Sequence, residues 1–181
     1  ANDGMVHVFD AKSTKADGGG KEIFAYVPSQ SLRASSNISI PESLAAYAKS
    51  DYQTKHRYYE DGDISLATIN DNKRMAFGAL GQGGRGIYAL DLTDLSKVTT
   101  SSASEIVKWE FAHANMGFNQ AAPAVVDVKL AAVKTRVVIF SNGFNAPALP
   151  VAGTCGAYPC GTVFILNADT GALIKALTTT V

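Results

Sequence analysis

The chain has 181 residues, with 16 basic and 16 acidic side chains and a formal net charge of zero, so no net field draws it toward nucleic acid or an anionic membrane. Hydrophobic residues make up 46% and charged residues 18%, a globular balance that supports one good core and excludes a disordered chain. No uninterrupted apolar run approaches the ~20 residues that span a bilayer. The opening "ANDGMVHVFDA" has neither the basic nor the apolar region of a secretion signal, so any such signal is removed or lies outside the chain.

The first β-rich run is "MVHVFDA" (5–11), followed by "KEIFAYVP" (21–28). Residues 29–62 read as an insertion, in which "PESLAAYAKSDY" (41–52) predicts a short helix with Pro41 near its start. Four strands come next: "DISLATI" (63–69), "RMAFGAL" (74–80), "GIYALDL" (86–92) and "EIVKWEFA" (105–112). The Ser/Thr-rich "KVTTSSASE" (97–105) reads as the loop before the last of them. A second set of four follows: "APAVVDV" (122–128), "TRVVIFSN" (135–142), "TVFILNA" (162–168) and "GALIKALT" (171–178). The loop "GFNAPALPVAGTCGAYPCG" (143–161) precedes its third strand, and "ADTG" makes a hairpin-type turn before its fourth.

These runs repeat. "MVHVFDA", "GIYALDL" and "TVFILNA" each end in hydrophobe, Asp or Asn, hydrophobe: Phe9-Asp10-Ala11, Leu90-Asp91-Leu92 and Leu166-Asn167-Ala168. Each is followed by a second apolar run. The pattern predicts an all-β fold, part of a β-propeller whose blades are four-stranded antiparallel sheets. The expected division is a half blade at 1–28, the insertion at 29–62, a blade at 63–112, and a blade at 121–179 carrying the cysteine loop. The spacing exceeds the about 40–50 residues of ordinary blades, and insertions make up the difference. Two and a half blades do not close a ring, so the expectation is a piece of a longer chain.

Cys155 and Cys160 sit in "GTCGAYPCGT" without a second cysteine pair, and His7, His56 and His113 are scattered, which argues against structural zinc. A local disulfide is the better reading over two free thiols, and it implies periplasm, cell surface or medium.

"GQGGRGIYALDL" (81–92) resembles a phosphate-cradling loop but fails both templates that would make it one. A dinucleotide site needs a helix after the glycines, and a strand follows here; a P-loop needs Lys-Ser/Thr where Ile87-Tyr88 stand. The glycines are therefore read as a tight turn or close backbone approach, with Arg85 as a solvated side chain at the loop tip. "KHRYYEDG" (55–62) gathers the residues for an interaction patch: Arg57, Tyr58 and Tyr59, with Arg85 as an outlying member. The competing and favoured account is an insertion packed on the blade through its tyrosines. "DGDISLATINDN" (61–72) lacks the central glycine and final glutamate of an EF-hand loop. No nucleophile–base or metalloprotease motif is present, so no catalytic, cofactor or metal residue is assigned. The repeated Asp/Asn positions read as turn-fixing side chains, and Trp109 as a residue packed between blades.

Taken in order, "ANDGMVHVFDA", "IFAYVP", "HRYYEDGD", "GALGQGGRGIYALDL", "VKWEF", the "NGF" region and "VFILNADTGALI" resemble the PilC/PilY-type type IV pilus biogenesis factors, also called pilus-tip adhesins. The resemblance covers nearly the whole chain and is most specific from Gly78 to Leu92. It implies a modified propeller of the quinoprotein-like type, without enzymatic activity, in the C-terminal part of a secreted protein. It further implies passage through the periplasm and outer membrane to the cell surface and pilus tip. The implied partners are minor pilins, the pilus tip complex and a host surface, and the implied roles are pilus assembly, adhesion and opposition to retraction. The family's calcium loop is expected beyond Val181, so no calcium ligand is carried onto this chain. Two other readings stay open: a quinoprotein dehydrogenase-like enzyme, and an envelope propeller scaffold.

Overall fold

The computed structural model describes residues 3–12, 14–32, 48–54, 58–99, 103–146 and 160–179. Ten strands lie within these segments, each inside or overlapping a run read as β-rich: β1 (Val6–Phe9), β2 (Glu22–Tyr26), β3 (Ile64–Ile69), β4 (Lys73–Ala79), β5 (Gly86–Asp91), β6 (Val107–Ala112), β7 (Ala124–Leu130), β8 (Val133–Ser141), β9 (Thr162–Asn167) and β10 (Leu173–Thr178). They form three antiparallel meanders: β1-β2, β3-β4-β5-β6 and β7-β8-β9-β10. We call these the half blade, blade A and blade B.

Blade A is the middle layer. Met75, Phe77, Ala79, Ile87, Ala89 and Trp109 share a core cluster with Val138, Phe140, Phe164 and Leu166 of blade B. Its alternate residues Ala76, Leu80, Tyr88 and Leu90 join Val6 and Tyr26 of the half blade. The pairings Ala76↔Leu90 and Phe77↔Ala89 put each set on one face, as the two-residue period of a strand requires. Burial on both faces is why β4 and β5 read as nearly continuous apolar runs. In blade B the strand β9 alternates instead, with Phe164 and Leu166 buried and Val163 exposed.

The repeat extends to details of register. In each β1-β2-type pair one residue of the outer strand is skipped: Ile23 opposite Val8/Phe9, Lys108 opposite Ala89/Leu90, and Ile174 opposite Ile165/Leu166. Directly after each bulge the repeated Asp or Asn fixes a turn. Asp10 accepts from the Lys12 N–H at 3.0 Å, Asp91 from Thr93 at 3.0 Å, and Asn167 from Asp169 at 2.9 Å. Burial pushes the Asp91 carboxyl up, but the Thr93 hydrogen bonds and the nearby Lys73 and Lys108 hold it below its ordinary value.

Trp109 lies between blades A and B. Its Nε1–H donates to the Ala168 carbonyl at 3.1 Å, and its ring covers Gly171, where an added β-carbon would come within 2.6 Å. The Asp-Thr-Gly turn therefore needs its glycine for two reasons, a φ of +71° and the indole resting on it. Lys73 of β4 bridges Asp91 in its own blade and Asp169 in the next.

One expectation is corrected, and a second falls largely outside the described residues. The run "KVTTSSASE" is not all loop, since Ala103–Ile106 form a single helical turn, α1, and the following strand starts only at Val107. Burying Ile106 against the half blade holds that turn. Of the helix expected over 41–52, residues 41–47 lie outside the described residues. The described end of the stretch is not α-helical, and Tyr52–Thr54 form a 3-10 turn.

The β7-β8 hairpin turns at Ala131 and Ala132, both with positive φ (+46° and +68°). That conformation suits Asn-Gly, and alanine is strained in it. Replacing the pair with Asn-Gly is expected to raise stability by about 0.5–1 kcal/mol. The measurement is the denaturant midpoint, and an unchanged or lower value would show that the hairpin does not hold this turn.

Candidate interaction site at one end of the blades

The meander topology gathers four connections at one end of blades A and B. They are the segment 58–62 entering β3, the glycine loop 80–86 between β4 and β5, the strap 113–120 joining the blades, and residues 142–146 after β8.

The glycine loop is packed against protein backbone. Gly81–Gly83 form a 3-10 turn. A β-carbon on Gly83 would overlap the Tyr59 carbonyl, and one on Gly81, where φ is +58°, would overlap the Asp61 carboxylate. Asp61 Oδ1 instead accepts the Gln82 N–H at 2.5 Å, and the Gly81 N–H donates to the Asn119 carbonyl at 3.0 Å. The amides of Gly81, Gln82, Gly83 and Arg85, which a nucleotide phosphate would compete for, already have protein partners. Across the sheet, Tyr88 lies over Gly78, another position where no side chain fits.

The strap is tied to blade B by a feature the sequence reading missed, the doubled Gly-Phe-Asn at 117–119 and 143–145. Phe118 and Phe144 form an antiparallel bridge, donating N–H to carbonyl both ways at 2.7 and 2.8 Å. Around it, the buried Asn115, Asn119 and Asn142 satisfy neighbouring polar groups. Asn115 donates to Thr162 Oγ1 at 2.5 Å, Asn119 to the Ser141 carbonyl at 3.1 Å, and Asn142 to the Cys160 carbonyl at 2.8 Å. The signal for it was the repeated tripeptide itself.

The residues singled out from sequence separate here. Tyr59 is fully buried and Tyr58 is exposed. Arg57 lies outside the described residues. Arg85 is not a solvated loop-tip residue. It is 7% exposed, with its guanidinium carbon 5.1 Å from the centre of the Phe118 ring and its backbone N–H donating to Gln30 Oε1 at 3.1 Å. The tight glycine turn tucks it under the strap, and burial pushes its ionisation down. Cys160, just before β9, is disulfide-bonded, while Cys155 lies outside the described residues.

Two carboxylates lie between blade A and the half blade. Glu110 accepts from the Tyr26 hydroxyl at 2.5 Å and from the Ser29 N–H at 3.0 Å. Tyr26 is held far above its ordinary ionisation range, first by burial and then by Glu110. Burial pushes the Glu60 carboxyl up to about 8, even though Ser31 donates to it at 2.6 Å. On β1, His7 lies between Glu22 (2.5 Å) and Asp3 (2.7 Å), whose hydrogen bonds raise its pKa.

Both shifts act in the same direction. Between 4.5 and about 8 the folded state retains the Glu60 proton that the unfolded chain releases, so stability falls as pH rises through that window. The His7 contribution is complete below 6.5 and is lost as pH rises through the raised folded value. Urea midpoints are expected to fall from pH 4.5 to 8, and Glu60→Gln to flatten that fall. A wild-type midpoint independent of pH, or an equal fall in the variant, would contradict this.

Comparison with known proteins agrees with this architecture. Residues 1–178 match the family described as the PilY1 beta-propeller domain. A type IV pilus biogenesis factor PilY1 homolog of Xylella fastidiosa (strain Temecula1 / ATCC 700964) is 34% identical over 98% of this chain and 10% of its own length. Another from the same strain is 41% identical over 54% of this chain and 7% of its own length. The type IV pilus biogenesis factor PilY1 of Pseudomonas aeruginosa (strain PAK) is 32% identical over 54% of this chain and 7% of its own length. The chain thus spans a tenth or less of these relatives. The crystal structure of the Pseudomonas aeruginosa PilY1 C-terminal domain superposes with a TM-score of 0.62 at 23% identity, over 99% of this chain and 29% of that one, a likeness of fold. With ten strands in blade-like meanders among the described residues and a family match over residues 1–178, the chain belongs to the PilY1 β-propeller domain family.

Proposed function

We propose that this chain is a non-enzymatic propeller scaffold of a type IV pilus biogenesis factor, acting at the cell surface and pilus tip through contacts with minor pilins. The reading extends to support of adhesion and opposition to pilus retraction. What carries it is the family match over residues 1–178, together with relatives named as pilus biogenesis factors. The geometry is compatible with a binding role: the glycine loop is filled by protein backbone, and the polar side chains at the blade ends serve turns and straps. On this reading calcium is bound elsewhere in the longer protein.

The test is an in-frame deletion of the gene in its own organism. Loss of surface pili and of twitching motility is expected, with recovery of the minor pilins on the full-length protein in pull-downs from the complemented strain. A deletion strain with normal pili and normal twitching would overturn the proposal. A quinone absorption band in the purified full-length protein would overturn its non-enzymatic part.

A further inference from the structure

We propose that the Arg85 guanidinium, seated on Phe118, whose bridge partner Phe144 is exposed, receives a carboxylate carried by a protein partner. Arg85 is 7% exposed, and its Nε has no hydrogen-bond partner. No acidic side chain among the described residues pairs with it, and burial is the only influence on its ionisation. A largely buried cation whose Nε is unsatisfied and which has no counter-ion is unfavourable, and a carboxylate from outside would complete it. The planar fork of arginine suits that group, since it donates two parallel hydrogen bonds to a carboxylate.

The site is also held in place. The Arg85 N–H is fixed by Gln30, and Phe118 is fixed by its two-way bridge to Phe144. Little ordering remains to be done on binding. Residues directly opposite in an antiparallel bridge project to one face, so Phe144, 79% exposed, stands on the same face as Phe118. An apolar residue beside the incoming carboxylate would cover it, and arginine with aromatic rings is the composition of interface hot spots. One buried arginine on a chain of zero net charge matches a single carboxylate better than a nucleic-acid backbone. The inference does not rest on the pilus reading and applies to any protein partner.

The test uses the full-length protein and saturation-transfer NMR with three probes. N-acetyl-L-phenylalanine presents a terminal carboxylate, N-acetyl-L-aspartyl-L-phenylalanine amide a side-chain carboxylate, and N-acetyl-L-phenylalanine amide none. At least one acid is expected to bind saturably and more tightly than the uncharged amide. Preference between the two acids identifies a chain terminus or an acidic side chain as the natural source. Arg85→Gln is expected to weaken acid binding at least fivefold without lowering the unfolding midpoint, because it removes an uncompensated charge. Phe144→Ser, at an exposed position, is expected to weaken it at least twofold and carries the test if the arginine variant does not fold. Equal binding of acids and amide, or no binding of either acid, overturns the proposal. So does an Arg85→Gln protein that loses stability but keeps its affinity.

Discussion

Trp109→Ala is expected to destabilise the fold by about 3–5 kcal/mol, the range for removing a large aromatic side chain from a packed core. Three contacts are lost together. The indole lies 5.8 Å, centre to centre, from Phe77 in its own blade. It covers Gly171 in the next blade, and its Nε1–H satisfies the Ala168 carbonyl. The cavity would open at the seam where blades A and B share one core, and the glycine turn cannot close it without moving the β9-β10 hairpin. Trp109→Phe is expected to lose less: the hydrogen bond, about 1 kcal/mol, and part of the covered area. As the chain has a single tryptophan, the variants must be followed by circular dichroism. In the wild type, tryptophan fluorescence reports on the seam, and its transition is expected to coincide with the dichroism if the blades unfold as one unit. A Trp109→Ala protein within about 1 kcal/mol of wild type would mean that the two blades do not depend on this contact.

Much of this arrangement is legible in the sequence because it is local and periodic. Alternation locates the strands, and the repeated Phe9-Asp10, Leu90-Asp91 and Leu166-Asn167 mark equivalent turns, each fixed by a side chain bonding two residues ahead. Features that depend on distant partners are not legible. The skipped residues Ile23, Lys108 and Ile174 are defined only by the strand opposite, and nothing in "KEIF" or "VKWEF" distinguishes a bulge from a regular pairing. Arg85 shows the same limit at the site. A charged residue among glycines reads as a solvated tip, and its burial under Phe118 follows from a strap that begins more than a whole strand later. The pairing of two Gly-Phe-Asn tripeptides was visible as repetition, but repetition alone does not reveal that the copies pair with each other.

Gly83→Ala separates the two meanings of the glycine loop. If the loop holds its glycines for backbone approach, one methyl group at Gly83 must displace the Tyr59 carbonyl, because backbone cannot rotate aside as a flexible side chain does. Overpacking of this kind typically costs about 1–3 kcal/mol and occasionally more, and the upper end is expected here because Tyr59 is itself fully buried. Gly18→Ala provides the control: Gly18 has a φ of +88° with nothing within 4 Å of an added β-carbon, so it measures left-handed strain alone, about 1 kcal/mol. Gly83→Ala should therefore exceed Gly18→Ala in the shift of the denaturant midpoint, and hydrogen exchange should rise across 58–62, the segment pushed outward. A loop kept for phosphate would behave in the opposite way, with the Gly83 variant folding normally while losing affinity for a nucleotide that protects the wild type. A Gly83→Ala midpoint no lower than that of Gly18→Ala would remove the packing explanation for the density of glycine at 81–86, and with it the account of how the loop holds Arg85 beneath Phe118.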